Sequence, residues 1–214
     1  MENDLLRAVM VLIPLVLSLS VHEYCHAAAA YLLKDDTAAR MGRLTLNPIA
    51  HIDPVGTIIL PLMGVMFGGF IFGWAKPVPV QPMNFTRKVS MRKGMLLVSA
   101  AGPASNLAMA LIGSLLAFVF YKLQVTAEAP WTMLRIFIQL NIILAFFNLI
   151  PVPPLDGSKI LAGILPYKYA NFIDTLEKYG FMILIFLLFS GALKVLFYPA
   201  NLLANFLFTW PAYF

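Results

Sequence analysis

His22 and His26 stand four residues apart in Ser20-Val21-His22-Glu23-Tyr24-Cys25-His26-Ala27. On a helix that spacing puts both imidazoles on one face, one turn apart, where they can share one Zn2+. Glu23 points to a different part of that face, from which a carboxylate can take a proton from a water at the metal without ligating the metal. In a soluble helix the same pattern commonly means a polar surface turn. Here it interrupts an apolar segment from about residue 5 to 33, where unpartnered ionisable groups are expensive and a metal partner is favoured. Cys25 reads as a small residue filling a tight helix contact, with a thiolate ligand as the alternative.

An open catalytic zinc site has three protein ligands and a water, so the two histidines need a third. Asp156 stands out, because Pro151, Pro153, Pro154 and Gly157 surround it at the end of a span, where unwound backbone can turn a carboxylate into a cavity. His51 and Asp53 compete for the role. Their proline-flanked surroundings read as an interfacial loop in which they are ordinary polar residues.

These groups must be held by membrane elements. Of 214 residues, 61% are hydrophobic and 12% charged, with a mean hydropathy of +0.84. That leaves too little polar surface for a soluble globule and implies an integral membrane protein of one domain, residues 1–214. The first apolar stretch is too long for a signal-peptide core, lacks a basic leader and carries the motif, so it is retained. The single cysteine excludes an intramolecular disulfide. The net charge of +5 gathers beside membrane segments, which suits lipid headgroups and topology rather than nucleic acid.

The expected fold is an all-α polytopic bundle of about 4–6 membrane segments with short extended stretches. Residues 5–33 form a first helix interrupted by Pro14, and 40–48 read as a short strand or extended interfacial loop. The stretch 55–72 holds Pro61, Gly56, Gly64, Gly68 and Gly69, which suits a kinked or re-entrant element; a re-entrant one returning to the side it entered from is expected, with a full crossing, zinc nearer the midplane and the N-terminus inside as the alternative. Prolines extend 74–82. Clear spans follow at 94–121, 130–150 and 179–198, with a short helix at 158–165 that has Ser158 near its cap and an apolar tail at 199–214. The catalytic core is expected over about 5–165 and the C-terminal span within 175–198. With 55–72 re-entrant, the basic loops 34–53, 76–93 and 159–178 share the cytoplasmic side and the N-terminus lies outside.

With these residues in view, the chain resembles the site-2 protease family of intramembrane zinc metalloproteases. The matching motifs are H-E-Y-C-H at 22–26, G-P-A-S-N at 102–106 and N-L-I-P-V-P-P-L-D-G at 148–157. The resemblance implies one Zn2+ per chain held by His22, His26 and Asp156, with Glu23 as base and acid. Asn148 falls on an asparagine that helps hold the substrate or stabilise the oxyanion, and Asn106 marks the helix beside the metal. G-R-L-T-L-N-P-I-A-H-I-D-P-V-G-T and G-W-A-K-P-V-P-V resemble compact prokaryotic members without a PDZ or other appended domain, although no span precedes the motif helix. The implied function is endoproteolysis within or near transmembrane segments of membrane-protein substrates, in a multi-pass protein of the prokaryotic plasma membrane. The alternatives are a divalent metal-ion transporter or channel, which would need polar groups along the full depth of the membrane, and an inactive scaffold. Substrate, regulator and oligomeric state stay open.

Overall fold

A computed structural model describes residues 2–66 and 73–210 of the chain. Its first element, α1 (Glu2–Leu32), is built from leucine, valine and alanine and runs through Pro14 without ending. The hydroxyls of Ser18 and Ser20 donate to the carbonyls of Pro14 and Val16, both at 2.7 Å. Neither is left bare in an apolar setting. Leu6, Val9, Ile13 and Leu17 form an exposed stripe at helical spacing, while Leu15, Ser18, Leu19, His22 and His26 are buried. This placing of apolar groups outward and small polar groups inward is what a lipid surround favours.

Two further long helices, α4 (Met91–Lys122) and α5 (Glu128–Asn148), pack against α1 and each other. Among the described residues three helices are long and apolar enough to cross a membrane: Ala8–Leu32, Met91–Lys122 and Glu128–Asn148. The chain is a multi-pass, all-helical membrane protein, with no strand among the described residues.

Between α1 and α4 the chain departs from a simple span. Of the two readings of 40–48, strand or extended loop, the loop is found: the stretch closes α2 (Thr37–Arg40), turns through Gly42 at φ 68° and enters a single 3-10 turn at Pro48–Ala50. Asn47 favours that turn, because its side chain accepts from the Ile49 amide and offers the backbone an alternative to a ladder. A π-helical turn at Pro54–Ile59 leads into α3 (Leu60–Met66). Residues 67–72 of the expected re-entrant segment lie outside the described residues. Its two ends nevertheless meet: the Trp74 amide donates to the Gly56 carbonyl, the Thr57 hydroxyl to the Trp74 carbonyl, and the Lys76 amide to the His51 carbonyl. The described ends of the segment therefore lie side by side, and the end of α1 meets the stretch before α4 where the Thr86 amide donates to the Leu33 carbonyl.

After α5 a proline-rich turn leads to α6 (Asp156–Ile164), which packs on α4. Ser158 lies near the cap of this helix, as its third residue. It sits in the first turn with its hydroxyl on the Leu155 carbonyl, and Asp156 is the first helical residue. The final span expected at 179–198 is corrected. Helix α7 (Ala170–Phe189) stops at Ser190, and Gly191 takes a left-handed φ of 75°, open to glycine at little cost. The chain continues as α8 (Ala192–Leu196) and α9 (Tyr198–Thr209). Much of the tail is therefore a helix packed on α4 and α5, with the Ser114 hydroxyl on the Leu207 carbonyl; residues 211–214 lie outside the described residues.

Candidate metal centre

The three elements α1, α4 and α6 bring His22, His26 and Asp156 to one buried point. Nε2 of His22 and Nε2 of His26 lie 2.9 Å apart, and Oδ2 of Asp156 is 3.3 Å from the first and 3.2 Å from the second. A tetrahedral zinc with ordinary bond lengths has ligand atoms about 3.3 Å apart. The observed triangle is close to one face of that tetrahedron.

The proton inventory strengthens the fit. Nδ1 of His26 lies 2.7 Å from the Val98 carbonyl, which can only accept, so this nitrogen carries the proton. Nδ1 of His22 lies 2.6 Å from Oδ1 of Asn106, another acceptor. In the neutral rings both Nε2 atoms are then lone pairs, facing each other and a carboxylate oxygen. Three acceptors converging without a proton between them call for a cation, and neutral imidazoles whose other nitrogen donates to a fixed acceptor are the form that binds one. Gly102, from the G-P-A-S-N motif, lets α4 come this close, because a Cβ there would run into both imidazole rings.

Glu23 and Asn148 line the same cavity of about 140 Å3, together with Val78, Pro154 and Lys159. Oε2 of Glu23 accepts a 2.9 Å hydrogen bond from the Val78 amide. Val78 lies between Pro77 and Pro79, so its N–H is the one amide proton of that tripeptide. Arg43 holds the stretch in place by donating to the carbonyls of Lys76 and Pro77. The Asn148 amide donates to the Leu144 carbonyl at 3.0 Å, which leaves its second N–H uncommitted to that bond.

The other candidates go elsewhere. His51 is buried with Nε2 on the Thr45 carbonyl, and Asp53 caps the π-helical turn by accepting from the Val55 and Gly56 amides. Neither belongs to the triad, and Cys25, only partly buried, does not join it. Sequence reasoning missed the role of the Val78 amide and of Val98, since a backbone group leaves no signature in residue types.

The sequence model described as Peptidase family M50 matches residues 117–190. The chain is 41% identical over 180 residues to YwhC of Bacillus subtilis, named as a zinc metalloprotease, covering 82% of this chain and 78% of that protein. It is 30% identical over 185 residues to Rip2 of Mycolicibacterium smegmatis, covering 86% of this chain and 68% of the relative. Rip2 of Mycobacterium tuberculosis is 29% identical over 191 residues, covering 89% and 70%. Both are also named as zinc metalloproteases. No solved structure matches.

Proposed function

The chain belongs to peptidase family M50, the site-2 proteases, and from that membership we propose that it is an intramembrane zinc endopeptidase acting on membrane-protein substrates. In this reading residues 1–214 form one protease domain, His22, His26 and Asp156 hold the metal, Glu23 is the general base and acid, and Asn148 is a substrate-carbonyl donor. The observation that carries it is the triangle of two imidazole lone pairs and one carboxylate oxygen, buried at the loop-side end of a membrane helix. A transport path would need open polar groups across the full depth, whereas the buried asparagines among the described residues, Asn106 and Asn141, are committed to each other, to His22 and to Ser18.

Zinc held there supplies Lewis-acid chemistry, acidifying a water and polarising a carbonyl. The protein does the rest. Glu23 is anchored through Oε2 by the Val78 amide, which leaves Oε1 to take a proton from the attacking water and return it to the leaving amine. The free N–H of Asn148 is placed to stabilise negative charge growing on the substrate carbonyl oxygen. A transmembrane substrate hides its carbonyls in helical hydrogen bonds and must present an extended stretch. Residues 73–81, free of helix beside the cavity, offer backbone groups against which such a stretch can lie.

The test is cleavage of a transmembrane peptide by purified protein of measured zinc content, in lipid or detergent, against Glu23→Gln. Zinc-dependent hydrolysis by the native protein alone is the expected result. Equal cleavage by the variant would remove Glu23 from its role. Zinc movement across proteoliposomes without cleavage would favour the transporter.

A further inference from the structure

Behind the metal centre lies a ring of buried polar side chains that the reaction itself does not use. Asn141 of α5 donates from Nδ2 to Oγ of Ser18 at 2.8 Å and to the Phe137 carbonyl at 2.9 Å. Its Oδ1 accepts from Nδ2 of Asn106 at 2.9 Å, and Oδ1 of Asn106 faces Nδ1 of His22 at 2.6 Å. Ser18 stands one turn before His22 on α1, so the ring leaves α1, passes through α5 and α4, and returns to α1. Ser18, Asn106 and Asn141 are all 0% exposed.

We propose that Asn141 is a positioning residue for metal binding, which fixes through Asn106 the nitrogen of His22 that carries the proton. The direction of the relay is forced from its far end. The Phe137 carbonyl can only accept, and the hydroxyl proton of Ser18 is committed to the Pro14 carbonyl. Asn141 must therefore present its NH2 to both and its oxygen to Asn106. Asn106 must in turn present its NH2 to Asn141 and its oxygen to His22. An oxygen at that position demands Nδ1–H on His22, which leaves the Nε2 lone pair aimed at His26 and Asp156. Without Asn141 the Asn106 amide is free to turn over, and its NH2 would then favour the opposite imidazole tautomer, with a proton on Nε2 where the metal should be.

This inference rests on the ligand assignment above, and the experiment separates the two. Zinc affinity of the purified full chain is measured by chelator competition for Asn141→Leu, Asn106→Leu, Asn106→Asp and His22→Ala. Nitrogen-15 histidine spectra of the metal-free protein read the tautomer without reference to activity. Asn141→Leu should weaken zinc binding by about 10–100-fold, the usual cost of losing an outer-shell partner, and should populate the Nε2–H tautomer of His22. Asn106→Leu should do the same. Asn106→Asp should keep the Nδ1–H tautomer of His22, because a carboxylate still accepts there even though its second oxygen then faces Oδ1 of Asn141; a merely structural role would shift the tautomer alike in both Asn106 variants. His22→Ala should bind no zinc at the site. Wild-type affinity and tautomer in Asn141→Leu overturn the proposal, as does an equal tautomer shift in both Asn106 variants. Should Asn141→Leu not fold, Asn141→Ala is read by the same two measurements in its place. Retention of wild-type zinc affinity by His22→Ala would overturn the ligand assignment, and the relay with it.

Discussion

The amide of Val78 donates a 2.9 Å hydrogen bond to Oε2 of Glu23, tying the irregular stretch over the cavity to the residue beside the first histidine. Glu23→Gln keeps an oxygen to accept that bond while removing the base. Proteolysis should fall by about 100- to 10,000-fold, with zinc content unchanged by atomic absorption. A variant that loses its metal would show Glu23 to be a ligand.

Gly102→Ala should damage the centre from the opposite side. Its Cβ would meet the rings of His22 and His26, and overpacking in a close-packed contact costs about 1–3 kcal/mol. If that falls on the histidines, zinc affinity drops by about 10–100-fold, measured by chelator competition, while circular dichroism stays helical. Wild-type affinity would mean that α4 can move away without disturbing the imidazoles.

How far the site could be read in advance depended on how local its geometry is. His22 and His26 were legible because helical periodicity alone places them together. Asp156 was legible because prolines and a glycine mark a break at the end of a span. Asn141 could be seen as a costly polar residue in an apolar helix, but its partner Ser18 is 123 positions away, and no local pattern names it. Ser18 stands four residues before His22, a signal that the ring now explains. The bond from Val78 to Glu23 spans 55 positions and uses a backbone group. The re-entrant reading of 55–72 rested on helix breakers, and the paired ends at Gly56 and Trp74 agree with it. The uninterrupted span at 179–198 failed because hydropathy overrode Ser190 and Gly191, whose turn chemistry was already on view in the sequence.

Asp35 should make the cover over the site sensitive to acid. Its buried carboxylate accepts from the Thr37 hydroxyl and amide, the Gln81 amide and the Asn84 side chain, joining the end of α1 to the stretch before α4. Burial alone would raise its pKa, but these donors together outweigh it and hold the group below the ordinary carboxylate value. A depressed pKa contributes stability that is present above the unfolded value of about 3.9 and is lost as pH falls through the folded value. Limited proteolysis within 73–90 should therefore be slow at neutral pH and should speed up only below about pH 4. Asp35→Asn, which turns one acceptor into a donor, should be cut faster at pH 7 and show a flatter acid response. An unchanged acid response in that variant would assign the transition to another group.

Membrane topology gives the last prediction. The ends of the segment starting at Pro54 are hydrogen-bonded to one another through Gly56 and Trp74, so it cannot carry the chain across. Among the described residues the helices long and apolar enough to cross are α1, α4 and α5. The end of α1, the start of α4 and the end of α5 then face one side, as a single centre built from His22, His26 and Asp156 requires. That side carries Lys34, Arg40, Arg43, Lys76, Arg87 and Lys88, whereas the loop 123–127 between α4 and α5 carries no basic residue. By the positive-inside rule the metal side is cytoplasmic and the N-terminus is outside. In a Cys25→Ser background, single cysteines at Arg40 and Arg87 should be labelled by an impermeant reagent only after the membrane is opened. One at Gln124 should be labelled in intact cells. Labelling of Arg40 and Arg87 from opposite faces would mean that the segment between them crosses, and would place the two halves of the metal centre on opposite sides of the membrane.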